Sequence, residues 1–158
     1  LGYEGGAQQV YLNGENVTGQ IRTEEVGMMA SQTSAYGPVR EKLTQLQKEL
    51  ARTSDVIMDG RDIGTCVLPQ ADVKVYLTAS VSVRAKRRYQ ELLEKGAACS
   101  LAEIEKEIEE RDYRDMHREH SPLKQAEDAY YLDSSDMTLE QVVNAIIELI
   151  DGKRGAVK

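Results

Sequence analysis

Apolar residues recur along this chain in two rhythms. The helical one is clearest at Val39, Leu43, Leu46 and Leu50, spaced by four, three and four residues, the stripe of an amphipathic helix. Pro38 suits the first position of that helix, and Gly37-Pro38 ends an earlier one that Thr23 can cap and that carries Val26, Met29 and Ala30. Ser80 can cap a helix over residues 81–95 that stops at Gly96. Ser100 with Glu103 makes a capping box for a long helix to about His117, with Ile104 and Ile108 inward. Thr138 with Gln141 makes another, opening a last helix whose apolar face is Val142, Val143, Ile146, Ile147 and Ile150 and which Gly152 closes. The strand rhythm marks residues 8–13, with a turn at Asn13-Gly14. It marks residues 55–59, an apolar run ending in Asp59, as a buried strand. Residues 73–77 follow, where Val73, Val75 and Leu77 alternate with Lys74 and Tyr76, and then residues 129–133.

Strands alternating with helices predict a parallel, doubly wound α/β fold in three layers. The β-rich start is too short to be a domain and reads as an insertion on a larger body. Three parallel strands make a thin sheet for so many helices, and a partner strand is expected to be missing.

Composition narrows the function classes. The 158 residues are 41% hydrophobic and 30% charged, enough for one core. A net charge of −7 argues against a broad nucleic-acid surface. No apolar run approaches the roughly 20 residues that span a bilayer, and no signal peptide is visible. Cys66 and Cys99 have neither disulfide density nor metal spacing. They read as reduced thiols of a cytoplasmic protein.

The charged candidates follow. In Asp55–Pro69 a strand end runs into Asp59, Gly60, Arg61, Asp62 and Gly64. Ligands of open α/β sheets bind beyond such strand ends, although a turn salt bridge would use the same residues. Arg111, Asp115 and Arg118, at spacings of four and seven, share one helix face. They read either as a solvated salt-bridge face or as an arginine clamp for phosphate with an aspartate for base amino groups. The stretch Arg84 to Arg88 reads either as a solvated face or as a mobile cover over a polyphosphate. Asp59 has the place of an acid that organises Mg²⁺, on a weak pattern. His117 and His120 lack a third metal ligand. Arg22 and Arg40 are each available to a substrate anion. A phosphate-cradling G-x-x-x-x-G-K-[ST] loop is absent: before Gly152-Lys153, Ile147 stands where the first glycine belongs.

These residues in this order resemble bacterial cytidylate kinases of the nucleoside-monophosphate kinase superfamily. The matches are Leu12 to Thr18 with Ile21-Arg22-Thr23, Ala30-Ser31-Gln32, Val39-Arg40, Asp59 to Thr65, Val75 to Ser80 and Arg87-Arg88-Tyr89. They continue through Glu110 to Asp115 with Arg118, Ser121-Pro122-Leu123 and Leu132-Asp133-Ser134. The resemblance covers essentially the whole chain. It implies an adenylate-kinase-like P-loop fold and ATP-dependent phosphorylation of CMP and dCMP with Mg²⁺. It implies that Ser31, Arg61 and Asp62 contact the cytidine, and that Arg40 reaches the CMP side. Arg111, Asp115 and Arg118 would clamp the CMP phosphate and sugar, and Arg87 and Arg88 would belong to a lid, at about residues 84–122, that covers ATP. Residues 1–35 would be part of a CMP-binding insertion and residues 36–158 the core.

The family's first strand and P-loop have no counterpart here. The chain is expected to be an N-terminally truncated member with little or no activity alone. No nucleic acid, membrane or obligate protein partner is expected, and any dimer would form along a truncated sheet edge. The competing readings are another P-loop small-molecule kinase and a non-catalytic nucleotide-binding or interaction remnant.

Overall fold

The computed structural model describes residues 2–21, 23–33, 36–119 and 121–155, with the side chains of residues 24, 31, 154 and 155 left out. Arg22 and His120 therefore lie outside the described residues, as does the side chain of Ser31. The chain forms two compact units, Leu1–Ser54 and Asp55–Lys158.

The first unit begins with two small antiparallel hairpins, β1 (Gly2–Glu4) on β2 (Ala7–Gln9) and β3 (Tyr11–Leu12) on β4 (Glu15–Asn16). Asn13 and Gly14 close the second hairpin with φ of 52° and 88°. Positive φ at both central residues is what a two-residue turn of the strands' own twist requires. Val10 and Val17 are joined by a 2.9 Å backbone hydrogen bond. Two helices follow, α1 (Glu24–Thr33) and α2 (Gly37–Thr53). The Thr23 hydroxyl accepts from the Val26 amide at 3.3 Å, the expected cap. The amphipathic stripe of α2 is in place, but Val39, Leu43, Leu46 and Leu50 are all exposed.

The second unit holds the parallel pair β5 (Val75–Thr78) and β6 (Tyr130–Asp133), in register from Val75 opposite Tyr130 to Thr78 opposite Asp133. Helices α3 (Val81–Glu94) and α4 (Leu101–His117) pack on each other, and α5 (Leu139–Gly155) ends the described chain. The core contains Val67, Ala79, Ala85 and Ile104, with Ala85 wholly buried. Ser80 caps α3 through the Val83 amide at 3.3 Å, and Gly96 leaves it with φ of 73°. The capping box of α5 is reciprocal: the Thr138 amide donates to Gln141 Oε1 at 2.8 Å, and the Gln141 amide donates to Thr138 Oγ1 at 3.2 Å.

Several expectations need correction. Residues 55–59 are not a strand, and Ile57 is 98% exposed. A strand exists through a neighbour's hydrogen bonds, and no described residue bonds to this stretch. Among the described residues the parallel sheet therefore has two strands rather than three. The alternation in residues 73–77 does not hold: Lys74 is buried, Leu77 is 53% exposed, and Val73, Val75 and Tyr76 are half-buried. Ser100 precedes α4 but makes no side-chain cap bond. Gly152 does not close α5, which continues to Gly155. The inner side of α5 is Val142, Ala145, Ile146, Leu149 and Ile150, while Val143 and Ile147 are exposed. These inner positions, spaced by three, one, three and one, make a single helical stripe that leaves Val143 and Ile147 beside it.

Replacing Thr138 with Ala removes one half of the α5 capping box. This should lower stability by about 1 kcal/mol, the usual worth of such a cap. Urea unfolding followed by far-ultraviolet circular dichroism measures it, and no loss would mean the cap is idle.

Candidate functional site

Between the first residues of the second unit and β5, the chain makes a single π-helical turn, Ile63–Val67. The Val67 amide donates to Asp62 O at 3.2 Å and the Leu68 amide to Ile63 O at 2.7 Å, both five residues back. Such turns occur disproportionately at functional sites. Gly60 permits the entry: a Cβ there would lie 2.9 Å from Ile63 Cγ1. The Asp62 carbonyl also accepts from the Cys66 amide at 2.8 Å, so Asp62 is held by its backbone at the start of the turn.

Arg61 leaves this turn and donates from Nε to Asp115 Oδ2 at 2.7 Å, across 54 residues of sequence. Arg118 approaches the other oxygen, with Nη1 3.8 Å from Asp115 Oδ1. Two guanidinium groups thus share one carboxylate, and the cluster keeps a net positive charge. Arg118 is not on the face of α4. The helix ends at His117, and Arg118 is its extended C-terminal cap residue, with φ of −66° and ψ of 145°. This corrects the expectation of three residues on one helical face. The turn beyond folds back: the Leu123 amide donates to Asp115 O at 2.7 Å, and Arg118 Nε donates to Ser121 O at 2.6 Å. Arg118 Nη2 is buried and has no hydrogen-bond partner among the described residues. A buried donor left unmade costs about 1–3 kcal/mol. An anionic oxygen would satisfy it best, because charge-assisted bonds to guanidinium are the strong ones. Arg111 is exposed and makes no ion pair among the described residues.

A second set of side chains gathers where β5 and β6 end. Arg84 donates from Nε to Ala79 O at 2.9 Å and holds both oxygens of Asp112 on α4, at 3.1 and 2.6 Å. Arg87 donates to Ser134 O at 2.6 Å, to Ser134 Oγ at 3.3 Å and to Met137 O at 3.4 Å. Ser134 is buried, and its hydroxyl donates to Thr78 O at 2.9 Å. Ser135 donates through its hydroxyl and its amide to Asp133, which holds that carboxyl below the usual carboxylate range. Arg88 lies on the exposed side of α3, 2.9 Å from Glu91. Hydrogen bonds from Lys95 and then Arg88 lower the Glu91 pKa.

The candidates thus divide. Arg61, Asp115 and Arg118 come together beside Asp62. Arg87 and Arg88 stand on α3, the first turned to the loop after β6 and the second to solvent. Arg40 is half-buried in α2 and Ser31 belongs to α1. Asp59 is exposed, and the described residues contain no group of three His, Cys, Asp or Glu that could hold a metal ion. The donor set does not fit a resident metal. Three further residues stand in the sequence only as motif or strand positions, not as candidates for the site. Asp112 and Ser134 are the partners of Arg84 and Arg87, recognisable only in three dimensions. Lys74 was hidden by its place in an alternating run. No helix among the described residues is long and apolar enough to cross a membrane.

Comparison with known proteins identifies the family. A sequence model of the family described as cytidylate kinase matches residues 2–152. The cytidylate kinases of Lactobacillus johnsonii and Lactobacillus gasseri are each 53% identical to the chain over 151 residues, which is 96% of this chain and 66% of theirs. That of Ligilactobacillus salivarius is 50% identical over 144 residues, 91% of this chain and 64% of its own. The chain thus spans just under two thirds of the length of these relatives. With a family match over nearly its whole length and this level of identity, the chain belongs to the cytidylate kinase family, and its α/β architecture is that of a P-loop nucleoside-monophosphate kinase.

Proposed function

We propose that this chain carries the acceptor side of a (d)CMP kinase, an enzyme that moves the γ-phosphoryl group of ATP to CMP or dCMP. The observation that carries the proposal is the cluster at Asp115. One carboxylate is shared by Arg61 and Arg118, and a buried guanidinium nitrogen lacks a partner among the described residues. That arrangement has unspent positive charge and an unspent donor, which a phosphate monoester would use.

In this proposal Arg118 and Arg111 hold the phosphate of CMP and offset its charge, and Asp115 orients the two arginines that flank it. Asp62 accepts from the amino group of cytosine, with Ser31 as a second base contact and Arg40 reaching the CMP side, both taken from family resemblance. A site built to hydrogen-bond one base rejects analogues better than apolar fit does. The acceptor phosphate is already anionic near neutral pH, so its oxygen attacks the γ-phosphorus in line, ADP leaves, and no general base is needed. Catalysis is then positioning and charge stabilisation. Arg87 and Arg88 belong to the ATP-facing lid, at about residues 84–122, with residues 1–35 as the CMP-binding insertion. Mg²⁺ enters as part of the nucleotide substrate, since a single exposed Asp59 is no cage. The free thiols Cys66 and Cys99 fit a cytoplasmic protein.

Two measurements test this. Titration calorimetry on the chain should show tighter binding of CMP and dCMP than of UMP or AMP. Asp62→Ala should weaken CMP at least tenfold, about 1.4 kcal/mol, and leave ATP affinity unchanged. Equal affinities for all four nucleotides, or an unaltered CMP affinity in the variant, would contradict the base-reading role. CMP at about a hundredfold excess over its Kd should also stabilise the folded chain by about 2.7 kcal/mol. Arg118→Gln should abolish most of that gain. Full stabilisation of the variant would remove Arg118 from the phosphate clamp.

A further inference from the structure

Lys74 is the least expected charged residue in the second unit. It lies at the amino end of β5 and is 8% exposed. Its ammonium donates to both oxygens of Asp128, at 2.7 and 2.6 Å, and to Pro69 O at 2.5 Å. Asp128 stays largely exposed while the lysine does not, so the desolvation falls mainly on the cation. Its hydrogen bond from Lys74 holds the Asp128 carboxyl below the usual range. Taking an ammonium out of water is costly even when it is paired, and a solvent-facing alternate position would have avoided it.

What the burial secures is the loop before β5. Pro69 O lies just beyond the π-helical turn, so the ammonium grips the turn's exit. The lysine stem runs under the turn itself: a Cβ on Gly64 would sit 3.5 Å from Lys74 Cδ and 3.8 Å from Cγ. The same residue opens the parallel ladder, its carbonyl accepting from the Tyr130 amide at 2.9 Å. Lys74 therefore joins the start of the sheet, Asp128 two residues ahead of β6, and the turn that follows Arg61 and Asp62, at Gly64 and at its exit, Pro69. We propose that Lys74 is a positioning residue for the acceptor site, fixing the Arg61–Asp62 turn through Pro69 and Asp128 without touching substrate. Its link to CMP rests on the proposed function above; its grip on the turn does not.

The test compares the native chain with Lys74→Met and Asp128→Asn, by amide hydrogen exchange and by CMP titration. Lys74→Met should speed exchange at the Cys66, Val67 and Leu68 amides about tenfold or more and leave the protected amides of α3 and α5 within about twofold of native, a local opening rather than a global one. Asp128→Asn, which keeps the bond to Pro69, should show the same pattern more weakly. CMP affinity should fall about fivefold or more in Lys74→Met, in step with the loosened turn. Unchanged turn amides in a folded variant, or acceleration spread equally over turn and helices, would overturn the proposal. If Lys74→Met fails to fold, the exchange pattern of Asp128→Asn decides by the same criteria. A loosened turn with native CMP affinity would break the link to binding. No CMP binding by the native chain would instead remove the proposed function, and the exchange comparison would still decide the role of Lys74.

Discussion

The carboxylate of Asp115 is shared by two guanidinium groups, one to each oxygen. Arg61 comes from a turn 54 residues earlier and Arg118 from the position that caps α4. The site in the second unit depends on this junction. Its energetic worth is modest: the Arg61 side chain is 40% exposed, and ion pairs that open to water contribute about 0–1 kcal/mol. Its geometric worth is larger. The pair fixes where the turn and the helix end meet, and one buried guanidinium nitrogen of Arg118 is left without a partner among the described residues.

The surrounding anchors explain how such a weak pair can hold a position. Arg84 ties the end of β5 to Asp112 on α4, and Arg87 ties α3 to the loop after β6. Lys74 ties the π-helical turn to the amino ends of both strands. Each is a cation spread over backbone carbonyls or a carboxylate, where charge-assisted bonds outweigh neutral ones. The two-stranded sheet is thus clamped at both ends by side chains rather than by a thick apolar core. Arg87 illustrates the consequence, because the donors proposed to face ATP are here held by Ser134 and Met137.

The helices were legible because their signals are local. A stripe of apolar residues, the caps at Thr23, Ser80 and Thr138 and the exit at Gly96 each need only neighbours within a turn or two. What failed was whatever depends on distant partners. Val56, Ile57 and Met58 carry the composition of a buried strand, yet strand formation needs a ladder that no described residue supplies. Lys74 alternates with valines as a solvent-facing residue would, and only the Asp128 carboxylate, 54 residues on, explains its burial. The charged residues of the site were identifiable by type and order. Their pairing was not, since Arg61 meeting Asp115 is a property of the tertiary structure, and the end of α4 moved Arg118 off the helical face that its spacing implied.

The proposed chemistry follows from family membership, and the Asp115 cluster is its proposed seat. The most direct measurement is a crystal structure of the chain grown with CMP. A phosphate oxygen of CMP should lie within hydrogen-bonding distance of Arg118 Nη2, with the Arg61–Asp115 pair intact beside it. CMP bound elsewhere, with Arg118 Nη2 still buried and unpartnered, would contradict the proposed clamp.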